Sequence, residues 1–143
     1  MTPLVQERGE LTIDVAGPAI VDLTQQVGEW LTKMRARDGL LTAFLRHASA
    51  SLTIQENADP KVRADLLDAL EKLAPETSAF RGDADGRDDW PAHVKSMLTS
   101  VSLSIPVFER TMALGQWQGL LLIEHRRRVT PRTVLLHFIG SCG

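Results

Sequence analysis

A chain of 143 residues and 15.8 kDa has room for one sizeable hydrophobic core, so residues 1–143 read as a single domain. Its 43% hydrophobic and 24% charged residues exclude a disordered or membrane-embedded protein, and a net charge of −2 excludes a globally basic nucleic-acid binder. One cysteine, Cys142, excludes an intrachain disulfide. The N-terminus carries charges where a secretion signal needs an apolar run, so a cytoplasmic protein with no membrane partner is expected.

In chain order, Leu11, Ile13 and Val15 alternate with polar residues, the period of a half-buried strand. After Gly17 and Pro18, the spacing of Ile20, Leu23, Val27, Trp30, Leu31 and Met34 predicts an amphipathic helix that Gly39 follows. A strand starts at about residue 40, with either a second strand or a continuation through Leu52 and Ile54. Asp59 and Pro60 then suit the N-cap and first position of a helix that faces the core with Val62, Leu66, Leu70 and Leu73 and ends near Pro75. Residues 76–93 are rich in Gly and Asp and predict a loop, followed by a short helix from Pro91 to Leu98. Three strands follow: one through Val101, Leu103 and Ile105, one over WQGLLLIEHR, and one over TVLLHFIG. Short connections suit an antiparallel sheet, so the class is α+β.

The stretch HASASLTIQENADP is where this pattern changes character. If the strand through the 40s continues, Leu41, Ala43, Leu45, His47, Ser49 and Ser51 share one face, because strand side chains alternate. The face begins apolar and turns polar at His47. Such a strand either ends as a solvated loop or enters a pocket. In GQWQGLLLIEHRRR, Trp117 and His125 share one parity, Gln118, Glu124 and Arg126 the other, so Glu124 and His125 cannot enter one pocket without a bulge or strand end. Arg126 is either a plain ion-pair partner of Glu124 or part of an anion site. His93 lies at a helix start beside unpaired N–H groups. Two or three histidines converging with a carboxylate would suit a divalent metal, although no HExxH pair is present. His137 reads as a core or interface histidine. Asp83, Asp85, Asp88 and Asp89 lack EF-hand spacing and read as a solvated loop. There is no Walker loop, GxGxxG or GxSxG.

The segments HASASLTIQENADP, DDWPAHVKSML, SLSIPV and LGQWQGLLLIEHR, taken together, resemble the YjbQ family, also called UPF0047, whose pattern is similar to HTSASLTINENADP, DNADAHIKASLLGPSLTIPV and LGTWQGIYLCEHR. The likeness runs from about residue 10 to the end. Departures are Ala48, Gln55, Trp90 and Pro91, Thr99 and Ser100 in place of Gly-Pro, and Gln116. The resemblance implies a β-sandwich-like, mostly antiparallel sheet carrying two or three helices, in a homotrimer with pockets near the subunit interfaces. It implies thiamine-phosphate-synthase activity, joining a hydroxymethylpyrimidine diphosphate to a thiazole phosphate with loss of pyrophosphate, as a secondary activity. Carried onto this sequence, it makes His47, His93 and Glu124 catalytic candidates and Ser49, Ser51, Glu56, Asn57, Asp59, Trp117, Gln118 and Arg126 candidates for binding a small phosphorylated substrate. A divalent metal, zinc or magnesium, would sit on His47 and His93, with His125 a third candidate. The alternative is a non-catalytic trimer that binds a metal or small anion.

Overall fold

The alternation of apolar residues builds long antiparallel ladders. The computed structural model describes residues 2–77 and 86–143. These form β1 (Val5–Val15), β2 (Ala19–Asp22), α1 (Thr24–Lys33), β3 (Ala36–Leu45), β4 (Ala50–Glu56), α2 (Pro60–Leu73), α3 (Asp89–Leu98), β5 (Ser102–Phe108), β6 (Thr111–Met112), β7 (Gln118–Glu124) and β8 (Thr130–Cys142). The strands make two antiparallel sheets, β1-β8-β3-β5-β6 and β2-β7-β4. The fold is the expected α+β arrangement.

Period-two burial makes the core. Leu41, Ala43, Leu45, Val134, Leu136 and Phe138 of the larger sheet meet Leu52, Leu120 and Leu122 of the smaller one, with Val27 and Leu31 of α1 in the same cluster. The smaller sheet is covered on its other side too: α2 lies against β2 and α3 against β4, and Leu121 and Ile123 are buried. β7 is therefore buried on both faces, which explains its unbroken apolar run. The outer face of the larger sheet is bare in the single chain, with Leu40, Phe44 and Ile139 exposed at 39, 43 and 46%.

Three expectations need correction. Ile20 belongs to β2, where it pairs with Ile123, and the helix begins only at Thr24, whose N–H is taken by Asp22 Oδ1. Gly39 lies inside β3 and does not stop the helix, which turns out through Arg35 in the left-handed region at φ 62°. The glycine is there because β3 and β8 approach closely: a Cβ at Gly39 would stand 2.3 Å from the Ile139 carbonyl oxygen. In α2, Val62, Leu66 and Leu70 are only half-buried and Leu73 is 67% exposed, because the helix lies over a sheet already packed on its other face. Its start is as expected, with Asp59 Oδ1 accepting from the Lys61 N–H at 2.9 Å and Pro60 next. α3 begins at Asp89, two residues before Pro91, which the first helical turn tolerates.

The glycines give a clean test. Gly39→Ala forces a methyl group against backbone and should destabilise by about 1–3 kcal/mol in urea unfolding. Gly28→Ala, mid-helix with nothing within 4 Å of its Cβ position, should be neutral or stabilise by up to about 1 kcal/mol. Equal unfolding midpoints for native and Gly39→Ala chains would contradict the close approach.

Candidate functional site

The chain leaves the larger sheet after Leu45 and enters the smaller one at Ala50, so residues 46–49 are a crossing. The shared face expected for residues 41 to 51 therefore holds only as far as Leu45, and His47 lies in the crossing. The crossing is fastened from β8. Arg132 Nε donates to Glu124 Oε1 at 2.7 Å and its Nη2 to Oε2 at 2.5 Å, while Nη1 donates to Ser49 Oγ at 3.0 Å and Nη2 to the Ser49 carbonyl at 3.1 Å. Glu124 is 0% and Arg132 1% exposed, and the Arg126 N–H also donates to Glu124 Oε2 at 3.0 Å. Glu124, expected as a catalytic carboxylate, is thus a buried anchor with both oxygens occupied. Arg132 escaped the sequence reading, although a guanidinium on the parity of Val134, Leu136 and Phe138 signals a buried partner.

His125 points to the opposite side of β7, as strand parity requires. Its Nε2 shares a 2.7 Å hydrogen bond with Ser51 Oγ, and it is 2% exposed. Burial, and then the nearby cations Lys95 and Arg132, push its pKa down to about 3. Lys95 is itself buried and donates to Glu71 at 3.1 Å. Ser51 and His125 therefore form a closed internal pair, and Ser51, expected to bind substrate, is fully buried.

Arg126 turns to the start of α3. Its Nε donates to Asp88 Oδ2 at 3.1 Å and its Nη1 to Asp89 Oδ1 at 2.5 Å. Burial disfavours the Asp88 charge, but the Arg127 N–H and the Arg126 guanidinium outweigh it and hold its carboxyl below the usual value. Arg126 is mostly buried between these carboxylates and clamps the start of α3 to the end of β7. Asp88 and Asp89 are not a solvated acidic loop, and Asp83 and Asp85 lie outside the described residues.

The clamp brings α3 beside the crossing and opens a cleft of about 620 Å³ between them, lined by His47, His93, Ser96, Thr99 and Ser100 among others. Both rings carry a proton on Nδ1, fixed by different backbone partners. The Thr133 N–H donates to His47 Nε2 at 2.9 Å, so the neutral ring carries its proton on Nδ1. His93 Nδ1 lies 2.8 Å from the Asp89 carbonyl oxygen, which can only accept, so Nδ1 carries a proton. Burial, then Arg132, lowers the His47 pKa and favours its neutral form, against a smaller opposing pull from Glu124.

The remaining candidates are elsewhere. β4 and β7 run antiparallel with Ala50 opposite Glu124 and Glu56 opposite Gln118. Six residues of strand place Glu56, Asn57, Asp59, Trp117 and Gln118 about 20 Å from the crossing. Asn57, Trp117 and Gln118 line a separate cleft of about 310 Å³ with Asp22 and Thr24. Asn57 donates to Asp22 Oδ2 and its backbone N–H to the Trp117 carbonyl, Gln118 Oε1 accepts from the Gly115 N–H, and Asp59 caps α2. The candidate residues thus fall at two clefts at opposite ends of one ribbon.

The described residues of one chain present no complete ligand set for a resident divalent metal. Among the described residues no group of three or more histidine, cysteine, aspartate or glutamate side chains is placed to hold an ion. His125 is on the far side of β7, and the His47 Nε2 lone pair already accepts a backbone N–H.

Two measurements check this arrangement. Arg132→Ala strands the buried Glu124 charge and should cost about 3–5 kcal/mol in urea unfolding, whereas replacing both Arg132 and Glu124 by Met should recover most of that loss; a double variant as unstable as the single one would refute the pair. His125 binds a proton at about pH 3 when folded, against an ordinary histidine value of 6.5 when unfolded. The unfolded chain therefore binds the proton first on acidification. This group's contribution to stability is complete above pH 6.5 and falls by about 1.4 kcal/mol per pH unit as pH drops from there towards 3. The slope between about pH 6.5 and 4.5 should flatten in His125→Asn, and equal slopes in the two proteins would contradict the assignment.

Comparison with known proteins gives this arrangement a context. The family model described as UPF0047 protein YjbQ-like matches residues 10–141. The chain is 40% identical over 137 residues to the UPF0047 protein sll1880 of Synechocystis, covering 95% of this chain and 93% of that one. It is 46% identical over 103 residues to the UPF0047 protein YjbQ of Salmonella typhimurium, covering 72% and 75%. A crystal structure of an uncharacterized YjbQ/UPF0047 protein from Clostridium acetobutylicum superposes with a TM-score of 0.83 at 28% identity, over 90% of this chain and 98% of that one. A YbjQ-like protein of unknown function from Sulfolobus solfataricus reaches 0.90 at 18% identity over 97% and 100%, a likeness of fold. With the family model matching residues 10–141 and a relative 40% identical over 95% of the chain, this protein belongs to the UPF0047 YjbQ-like family.

Proposed function

We propose that the cleft between the crossing and α3 acts on a small phosphorylated substrate, and that the reaction is of the thiamine-phosphate-synthase type. The observation that carries the reading is the pair of imidazoles lining one cleft, each with one nitrogen fixed by the backbone: His47 Nε2 by the Thr133 N–H and His93 Nδ1 by the Asp89 carbonyl. Imidazoles held in this way are what proton handling or leaving-group stabilisation needs. In the reaction, the thiazole ring nitrogen forms a bond to the pyrimidine methylene carbon as that carbon's bond to the diphosphate oxygen breaks, and pyrophosphate leaves with the electron pair. The His47 Nδ1–H would donate to the departing diphosphate. His93 would orient the polar edge of the partner ring. Thr99 and Ser100, which depart from the family's Gly-Pro, donate their hydroxyls to the Lys95 and Ser102 carbonyls and can offer a ligand only acceptor lone pairs.

A homotrimer in the cytoplasm completes the proposal. The exposed apolar face around Leu40, Phe44 and Ile139 supports self-association. No helix of the described residues is long and apolar enough to cross a membrane. Assembly would also allow the Asn57–Trp117 end of one chain to approach the His47–His93 end of another.

A binding-only reading has one observation in its favour. Arg126 and Arg132 both serve carboxylates of the fold, so neither guanidinium is committed to a leaving group, and the cleft suits a small ligand that is held without being cleaved. Turnover separates the two. With both substrates and Mg²⁺ supplied, the native protein should release pyrophosphate and form thiamine phosphate, and His47→Ala and His93→Ala should each lose about 100-fold while keeping the native melting temperature. Absence of product from the folded native protein would leave the binding module, and light scattering at three times 15.8 kDa would support the trimer.

A further inference from the structure

We propose that a second cleft, between α1 and the β5–β6 hairpin, binds a small molecule with an apolar body and a single anionic group. The cleft measures about 640 Å³, the scale of a drug-sized ligand site. Its floor is apolar, made by Leu31, Met112 and Leu114. Thr24 and Gln118 stand at the end it shares with the Asn57–Trp117 cleft, so it opens at the end of the β4–β7 ribbon away from His47 and His93. The inference is independent of the function proposed above.

Gly28 shows why the space is there. It occupies the middle of α1, where glycine is unfavourable, and a Cβ added to it would meet nothing within 4 Å. No close packing demands a glycine at this position. Its missing side chain leaves a hollow in the wall of the cleft. The rim then selects charge. Lys33 has no side-chain hydrogen bond or ion pair among the described residues. Arg110 donates one Nη2 hydrogen bond to the Gly143 carbonyl and keeps further donors. The acidic group on this rim, Glu29, is held by Gln25 Nε2 at 3.0 Å. Glu109 and Arg110 both adopt left-handed backbone at φ 51° and 73°, in the two-residue turn that joins β5 to β6 and carries Arg110 to the cleft. Two cations over an apolar floor complement one anionic head on a hydrophobic body.

The test uses 1-anilinonaphthalene-8-sulfonate and its uncharged analogue N-phenyl-1-naphthylamine, titrated against the full chain by fluorescence and calorimetry. The expected result is one saturable site per chain for the sulfonate and about tenfold weaker binding of the uncharged compound. Gly28→Leu should fill the hollow and abolish binding without lowering the melting temperature, Lys33→Glu should weaken it several-fold, and His47→Ala should leave it unchanged. The proposal fails if there is no saturable binding, if the dye still binds Gly28→Leu, or if the two compounds bind equally. A fall in oligomeric mass on Gly28→Leu would assign the cleft to a second copy and would also overturn it.

Discussion

The buried pair of Glu124 and Arg132 is the interaction on which the rest of the structure turns. Taking two charges out of water is costly, and the pair is tolerable because its hydrogen bonds are nearly all made within the fold: two between the partners, two from Arg132 to Ser49, and one from the Arg126 N–H to Glu124. It joins β7 of one sheet to β8 of the other. It also fixes the crossing at Ser49, and the next residue on β8, Thr133, supplies the N–H that sets the His47 tautomer. The ring in the cleft thus takes its orientation from a contact made in the core.

Three consecutive residues at the end of β7 distribute the local charges. Glu124 faces the core, His125 faces β4 and α3, and Arg126 reaches back to the carboxylates at the start of α3. Alternation sends the first two to opposite faces, and the end of the strand frees the third. Each is used in holding the layers together, so the cleft is furnished by groups these contacts position: His47, His93 and hydroxyl side chains. A neutral His125 beside Lys95 follows from the same closeness of packing.

The motif segments of the family therefore serve two ends of one ribbon. His47 and His93 stand at one, Asn57, Trp117 and Gln118 at the other, with Trp117 60% exposed. An exposed indole and the exposed apolar face of the larger sheet are the surfaces on which association would bring distant motifs together. The α1 cleft lies beside the second end, where Thr24 and Gln118 belong to both hollows.

Much of this was legible in the chain. Period-two and period-3.6 patterns located the strands and the helices, Asp59 and Pro60 marked a helix start, and the change of character at His47 marked the edge of a cleft, because each of these is set by neighbours within a few residues. Boundaries failed where long-range packing intervened, as at Gly39, which answers to β8 and not to α1. Side-chain roles failed for the same reason. The sequence determined that Glu124, His125 and Arg126 are adjacent and alternate. Only the tertiary structure decided that Arg132, Ser51 and the Asp88–Asp89 pair are their partners, because a buried charge must find its counter-charge in space and the residues that supply it come from other strands and helices.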